Sequence, residues 1–237
     1  MIENTVKPPI ANKIEKKLEA HGDIRIDNYY WLNDPENPKV IEFLKAENEF
    51  YNIKTAHTKQ FQKDLFDELK SRIKEDDESV PFRKNGYFYI TRFEKGKQYP
   101  IYVRKKENLA AAEQIMFNVN ELAKEHRYYQ LSGLSVSPDN KYISFGVDTV
   151  GKRQYTLQFK NFETGELFPE KIENTTGSGI WASDNKTIFY TQKNPKTLRS
   201  EKVFRHILGT DPSNDVEIFF DVIVIEREII KACFSFD

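Results

Sequence analysis

Two stretches of this chain carry the same turn in the same place: Ser137-Pro-Asp139-Asn140-Lys141-Tyr142-Ile143 and, 45 residues on, Ala182-Ser-Asp184-Asn185-Lys186-Thr187-Ile188. Each turn is followed by short runs rich in Tyr, Phe, Ile, Val and Thr, which read as strands split by turn residues. The second group holds Leu134–Val136, Tyr142–Val147 and Gln154–Phe159; the third holds Gly179–Trp181, Thr187–Thr191 and Lys202–Ile207. An earlier group begins at Asn85-Gly86, and its runs Tyr87–Phe93 and Tyr99–Arg104 flank the turn Glu94–Gln98 as a hairpin. A repeat of this length with several short strands per unit fits the blade of a β-propeller, in which each unit buries its faces on its neighbours. Rings of this kind close with roughly four to eight blades. About three are visible here, so the fold expected is mainly β: an incomplete β-propeller.

The first part of the chain has a different period. Asn37-Pro38 reads as an N-cap with proline in the first helical position. Behind it Val40, Phe43, Leu44, Phe50 and Tyr51 share one helical face, and Phe61, Leu65, Leu69 and Ile73 form a second stripe. Three divisions are expected: an N-terminal α-helical segment over residues 1–76, a partial propeller over 77–220, and an apolar tail over 221–237. The whole stretch from Val216 to Asp237 has 14 apolar residues in 22 and no Gly, Pro or Asn to make another blade turn. The repeat stops there, which reads as a premature terminus, with a shorter variant ending in an unusual strand as the alternative. Val222–Ile225 has strong β propensity and no breaker, a self-association hazard if unpaired.

Local motifs then narrow the choice. His21-Gly-Asp-Ile-Arg-Ile-Asp-Asn-Tyr-Tyr-Trp-Leu-Asn-Asp34, placed after Pro8-Pro9, resembles the N-terminal signature of the prolyl oligopeptidase family of serine peptidases. Ala46-Glu-Asn48, Arg72–Asp77 with Ser79-Val-Pro81, Tyr99–Tyr102, Val147–Tyr155, Trp181–Lys186 and Leu208–Pro212 are similar to its oligopeptidase B branch. The resemblance spans about residues 7 to 217. It implies a propeller set over an α/β-hydrolase domain, restricting access to short peptides that are cut after Arg or Lys. It also implies that the two amphipathic helices pack on that hydrolase domain.

The chemistry of such a peptidase is not found in these 237 residues. An α/β-hydrolase carries its nucleophile on a G-x-S-x-G elbow, and no such string occurs. The nearest, Gly133-Leu-Ser135-Val-Ser137, lacks the closing glycine. Ser135, Asp148 and His206 follow the hydrolase order, but order without geometry assigns nothing, and all three read as blade residues. No catalytic, cofactor-binding or metal-binding residue is therefore assigned, and the triad implied by the resemblance is expected beyond Asp237. Glu75-Asp-Asp-Glu78 reads as a solvated turn before a strand rather than a cation site. His21, His57, His126 and His206 share no ligand spacing, and Arg153 and Tyr155 read as surface residues near a strand turn.

Composition removes other classes. With 36 Lys+Arg against 37 Asp+Glu there is no basic surplus to drive binding to a phosphate backbone, so no nucleic-acid partner is expected. One cysteine makes neither an internal disulfide nor a thiolate metal site. With no apolar leader or membrane-length run, no membrane association is expected and the location expected is cytoplasmic. Serine-peptidase chemistry needs no cofactor. The expected partners are peptides, through the intact enzyme, and the hydrolase domain; an arc of blades with uncovered ends also invites self-association. The reading is the propeller part of an oligopeptidase B-like endopeptidase, itself inactive, with a free-standing, non-catalytic propeller binding module as the alternative.

Overall fold

The computed structural model describes residues 6–220, which fall into two compact units parting between Lys74 and Glu75. The first unit opens with a hairpin, β1 (Lys16–Ala20) and β2 (Asp23–Asp27), turned by His21 and Gly22, both at positive φ. A β-hairpin thus precedes the helices in the segment expected to be α-helical. Helix α1 (Pro38–Lys54) starts as its sequence prescribes: the Asn37 side chain accepts from the Lys39 amide at 3.0 Å and Pro38 occupies the first turn. A second helix, α2 (Lys59–Ser71), follows. Of the α1 stripe only Val40 is buried, and the α2 stripe of Phe61, Leu65, Leu69 and Ile73 is exposed throughout. The apolar side chains of the two helices are thus largely exposed within this unit.

The second unit is a succession of four-stranded antiparallel blades. In the first, β3 (Asp77–Glu78) and β4 (Phe82–Lys84) both pair with β5 (Tyr87–Phe93), so together they act as one inner strand broken at Ser79–Pro81. Proline cannot donate to a ladder, which accounts for the break. The outer strands are β6 (Ile101–Lys106) and β7 (Glu113–Asn118), and a short helix α3 (Val119–Leu122) leads onward. Asp77 and Glu78 thus lie in a strand, not in the solvated turn expected of that acidic run.

The second blade is β8 (Gln130–Val136), β9 (Tyr142–Asp148), β10 (Tyr155–Asn161) and the first half of β11 (Ile172–Trp181). The third uses the second half of β11, then β12 (Thr187–Lys193), β13 (Ser200–Ile207) and β14 (Val216–Phe220). One strand therefore serves two blades. Ile172 pairs with β10 alone, Thr175 with both β10 and β12, and Gly179–Trp181 with β12 after a shift of register. The switch falls at Gly177, whose φ of +88° is open to glycine and strained for other residues. There the backbone of β11 crosses that of β8 and β9 so closely that a Cβ on Gly133 or Gly146 would overlap Gly177. The mainly β, unclosed propeller expected from the repeat is the fold observed, and Val216–Phe220 still belongs to it. The divergent tail from 221 onward lies outside the described residues.

Strand alternation divides the core by blade interface. On β9, Ile143, Phe145 and Val147 face the first blade and join Tyr89, Met116, Phe117 and Leu131. Leu157 and Phe159 on β10 face the third blade and meet Ile172, Trp181, Ile188 and Tyr190. Full burial of a large aliphatic or aromatic side chain contributes about 1.5–3 kcal/mol, so these two interfaces hold most of the unit together.

The repeated turns are bonded to one another. Asn140 Nδ2 of the second blade donates to Asn85 O of the first at 3.0 Å, and Asn185 Oδ1 of the third accepts from the Asp139 amide of the second at 2.9 Å. Asn85, Asn140 and Asn185 all have positive φ, a conformation asparagine tolerates better than other residues with a Cβ. The Thr187 hydroxyl, with the Thr187 and Lys186 amides, holds the Asp184 carboxyl below the usual carboxylate range and fixes the third turn. The asparagines thus set the register between blades.

Candidate functional site

Ser135, Asp148 and His206 are not brought together as a charge-relay set. The carbonyl of Ser135 on β8 accepts from Trp181 Nε1 at 2.9 Å, tying the inner strands of the second and third blades. Asp148, 2% exposed at the end of β9, spends its carboxylate on its own loop: Oδ1 accepts from the Val150 and Gly151 amides and Oδ2 from that of Arg153, all at 2.7–2.8 Å. His206 has other partners. The blade reading of the three residues is the one their contacts support.

His206 is the centre of a buried polar cluster that sequence spacing did not reveal. It is fully buried on β13, and its ring stacks on Phe159 at 5.3 Å and 11°. Nδ1 lies 2.7 Å from Asp215 Oδ1, so the imidazole donates and the carboxylate accepts. The Tyr190 hydroxyl donates to Asp215 Oδ2 at 2.9 Å. Burial, and then the carboxylate at its hydroxyl, push the Tyr190 phenol far above its ordinary range, so it remains a donor at every physiological pH. On the other side Nε2 is 3.9 Å from Glu170 Oε1, which accepts from the Gly209 amide at 2.7 Å. The cluster binds β12, β13 and the segments before β11 and β14 into one blade. Among the described residues, His206 Nε2 has no hydrogen-bond partner and Nδ1 is held by Asp215, so no hydroxyl is bonded to the imidazole as a nucleophile would be.

The remaining polar candidates are also absorbed into structure. The Arg153 carbonyl accepts from Lys193 Nζ at 2.7 Å, and Tyr155 is buried where β11 crosses. Tyr155 is therefore not the surface residue expected of it. The Glu75 carboxylate accepts from the Gly96 amide at 3.3 Å. Among the described residues no group of three or more His, Cys, Asp or Glu is placed to hold a metal ion, and no helix is long and apolar enough to cross a membrane.

The surface most suited to a role is the edge where the inner strands converge. Leu134 and Val136 of β8 face Phe82 and Lys84 of β4 across a cavity of about 200 Å³, also lined by Tyr89, Tyr102 and Met116. Trp181 and Ser135 join β8 to the second half of β11 along the same edge. The lining of this cavity is mainly apolar and aromatic.

Comparison with known proteins places these features. The family described as prolyl oligopeptidase, N-terminal β-propeller domain, matches residues 8–222. A dipeptidyl aminopeptidase BI from Pseudoxanthomonas mexicana is 39% identical over 229 residues, covering 90% of this chain and 32% of its own length. A protease 2 from Moraxella lacunata is 33% identical, again over 90% of this chain and 32% of its own. Oligopeptidase B from Leishmania major superposes with a TM-score of 0.83 at 31% identity, covering 91% of this chain and 33% of that one. Oligopeptidase B from Trypanosoma brucei, in a closed form with covalently bound antipain, gives 0.81 at 25% identity. The chain spans about a third of the length of each of these relatives.

Proposed function

Since this chain belongs to the prolyl oligopeptidase family through its N-terminal β-propeller domain, we propose that it forms the propeller part of an oligopeptidase B-like serine endopeptidase and contributes access control rather than chemistry. The observation that carries the reading is the match over residues 8–222, which takes in the helical unit as well as the blades. A free-standing propeller module has no evident use for the signature from His21 to Asp34 or for two helices whose apolar faces are uncovered. In the reading proposed, those helices pack on an α/β-hydrolase domain in the cytoplasm. The convergent edge of the blades borders the route of a peptide to that domain, and only short peptides with Arg or Lys at the cut pass. Bound antipain in the Trypanosoma brucei oligopeptidase B is consistent with this class of chemistry.

A second specificity is favoured by one observation: the 39% identical relative is named for releasing dipeptides, not for internal cleavage. Both readings place the reaction on a hydrolase domain and give these residues no catalytic group. Purified as the 237-residue chain, the protein should not react with a fluorophosphonate probe and should not hydrolyse an Arg or Lys ester above the buffer rate. Labelling of a serine in this chain, with turnover lost on labelling, would overturn the proposal.

A further inference from the structure

The cleft between the first and second blades holds an Arg104 guanidinium whose environment is incomplete. Arg104 is 2% exposed on β6, and no carboxylate among the described residues lies within ion-pair distance of it. Its charge is met by neutral groups instead. Nε donates to Gln114 Oε1 at 2.7 Å, Nη1 donates to Asn140 O at 3.1 Å, and the plane sits between the rings of Phe162, 3.7 Å from its centroid, and Tyr87, at 4.3 Å. Stacking, two neutral acceptors and the adjoining Tyr89 phenol offset part of the cost of burying a cation; a partner of opposite charge is what such a group ordinarily adds. This cation also faces an opening. Arg104 lines an open cleft of about 520 Å³ where the turns at Asn85-Gly86, Asp139–Lys141 and Phe162-Glu163 meet, with Lys106 and Lys141 on the exposed rim.

We infer that this cleft binds a small oxyanion, a carboxylate or a phosphate, with Arg104 at its floor and Lys106 and Lys141 at its mouth. The planar guanidinium suits either anion because it presents several donors in a fixed fork. The rim also carries Glu107, Asp139 and Glu163. Asp139 is already engaged by the Ser137 hydroxyl and the Lys141 amide, and the three carboxylates, like Lys106 and Lys141, are exposed to solvent, which screens them, while Arg104 is not.

The test is a titration of the uniformly 15N-labelled 237-residue chain with inorganic phosphate and, separately, with acetate, ionic strength being held constant with potassium chloride. Saturable shifts confined to amides around Gly86, Asn140, Lys141 and Glu163 are expected, and the anion that saturates at lower concentration identifies the source. Lys141→Gln, which leaves the buried packing intact, should weaken binding about two- to fivefold, and Arg104→Gln should abolish saturation. Shifts that never saturate, that spread over the chain as with chloride, or that are unchanged in Lys141→Gln would show that Arg104 serves only to bolt the blades together.

Discussion

Replacing Gly146 with alanine should unfold the blade unit or cost it about 3 kcal/mol or more. Overpacking in a core costs typically about 1–3 kcal/mol because side chains can give way. Here the obstacle cannot: a Cβ on Gly146 would meet the Cα, carbonyl carbon and oxygen of Gly177, backbone atoms of a strand held on both sides by ladders. Gly177→Ala meets two penalties, a Cβ about 2.7 Å from Tyr155 Cγ and a φ of +88°. Urea unfolding followed by tryptophan fluorescence reads the result directly, since Trp181 lies in the second interface. A Gly146→Ala chain as stable as the parent would mean that the close crossing of β11 over β9 is not a property of the protein. The total stability of a domain is about 5–15 kcal/mol, so either substitution removes a large share of it.

The second large effect is expected at Asp215. Asp215→Ala should destabilise the chain by about 2–5 kcal/mol, because it leaves two buried donors, His206 Nδ1 and the Tyr190 hydroxyl, without their acceptor, each at a cost of about 1–3 kcal/mol. His206→Ala should lose a similar amount through the cavity left against Phe159. The two losses should not add. A double variant with apolar residues of similar volume, His206→Phe with Asp215→Leu, should recover much of the stability, since replacing both partners of a buried hydrogen bond by packed apolar groups can be nearly neutral. Additive losses, measured by the same urea unfolding, would show that the two residues do not act as one cluster.

How much of this was legible in the sequence depends on the range of the interaction. The hairpin turns were, because Asp139-Asn140 and Asp184-Asn185 state their conformation locally, and from them came the blades. The first blade's outer strand was not: Glu113-Gln-Ile-Met-Phe lacks the β-branched run that marks its neighbours. The hairpin at Lys16–Asp27 was missed because its strands are charged and exposed and its turn is His-Gly rather than Asn-Gly or Asp-Gly. The double role of β11 was illegible in principle, since Gly177 looks like any loop glycine until the strand it must pass is in place. The same holds for His206, whose partners Glu170 and Asp215 stand 36 and 9 residues away in sequence with no motif linking them. The absence of a serine elbow, in contrast, is a statement about strings and needed no coordinates.

The claim that these residues gate a peptidase is tested most directly by a graft: residues 8–220 in place of the matching N-terminal third of an oligopeptidase B, assayed on a short Arg-containing peptide and on a long unfolded polypeptide with the same cleavage site. The account predicts a folded chimaera that cuts the short peptide and spares the long one. A folded, active chimaera that cuts both at equal rates would contradict it.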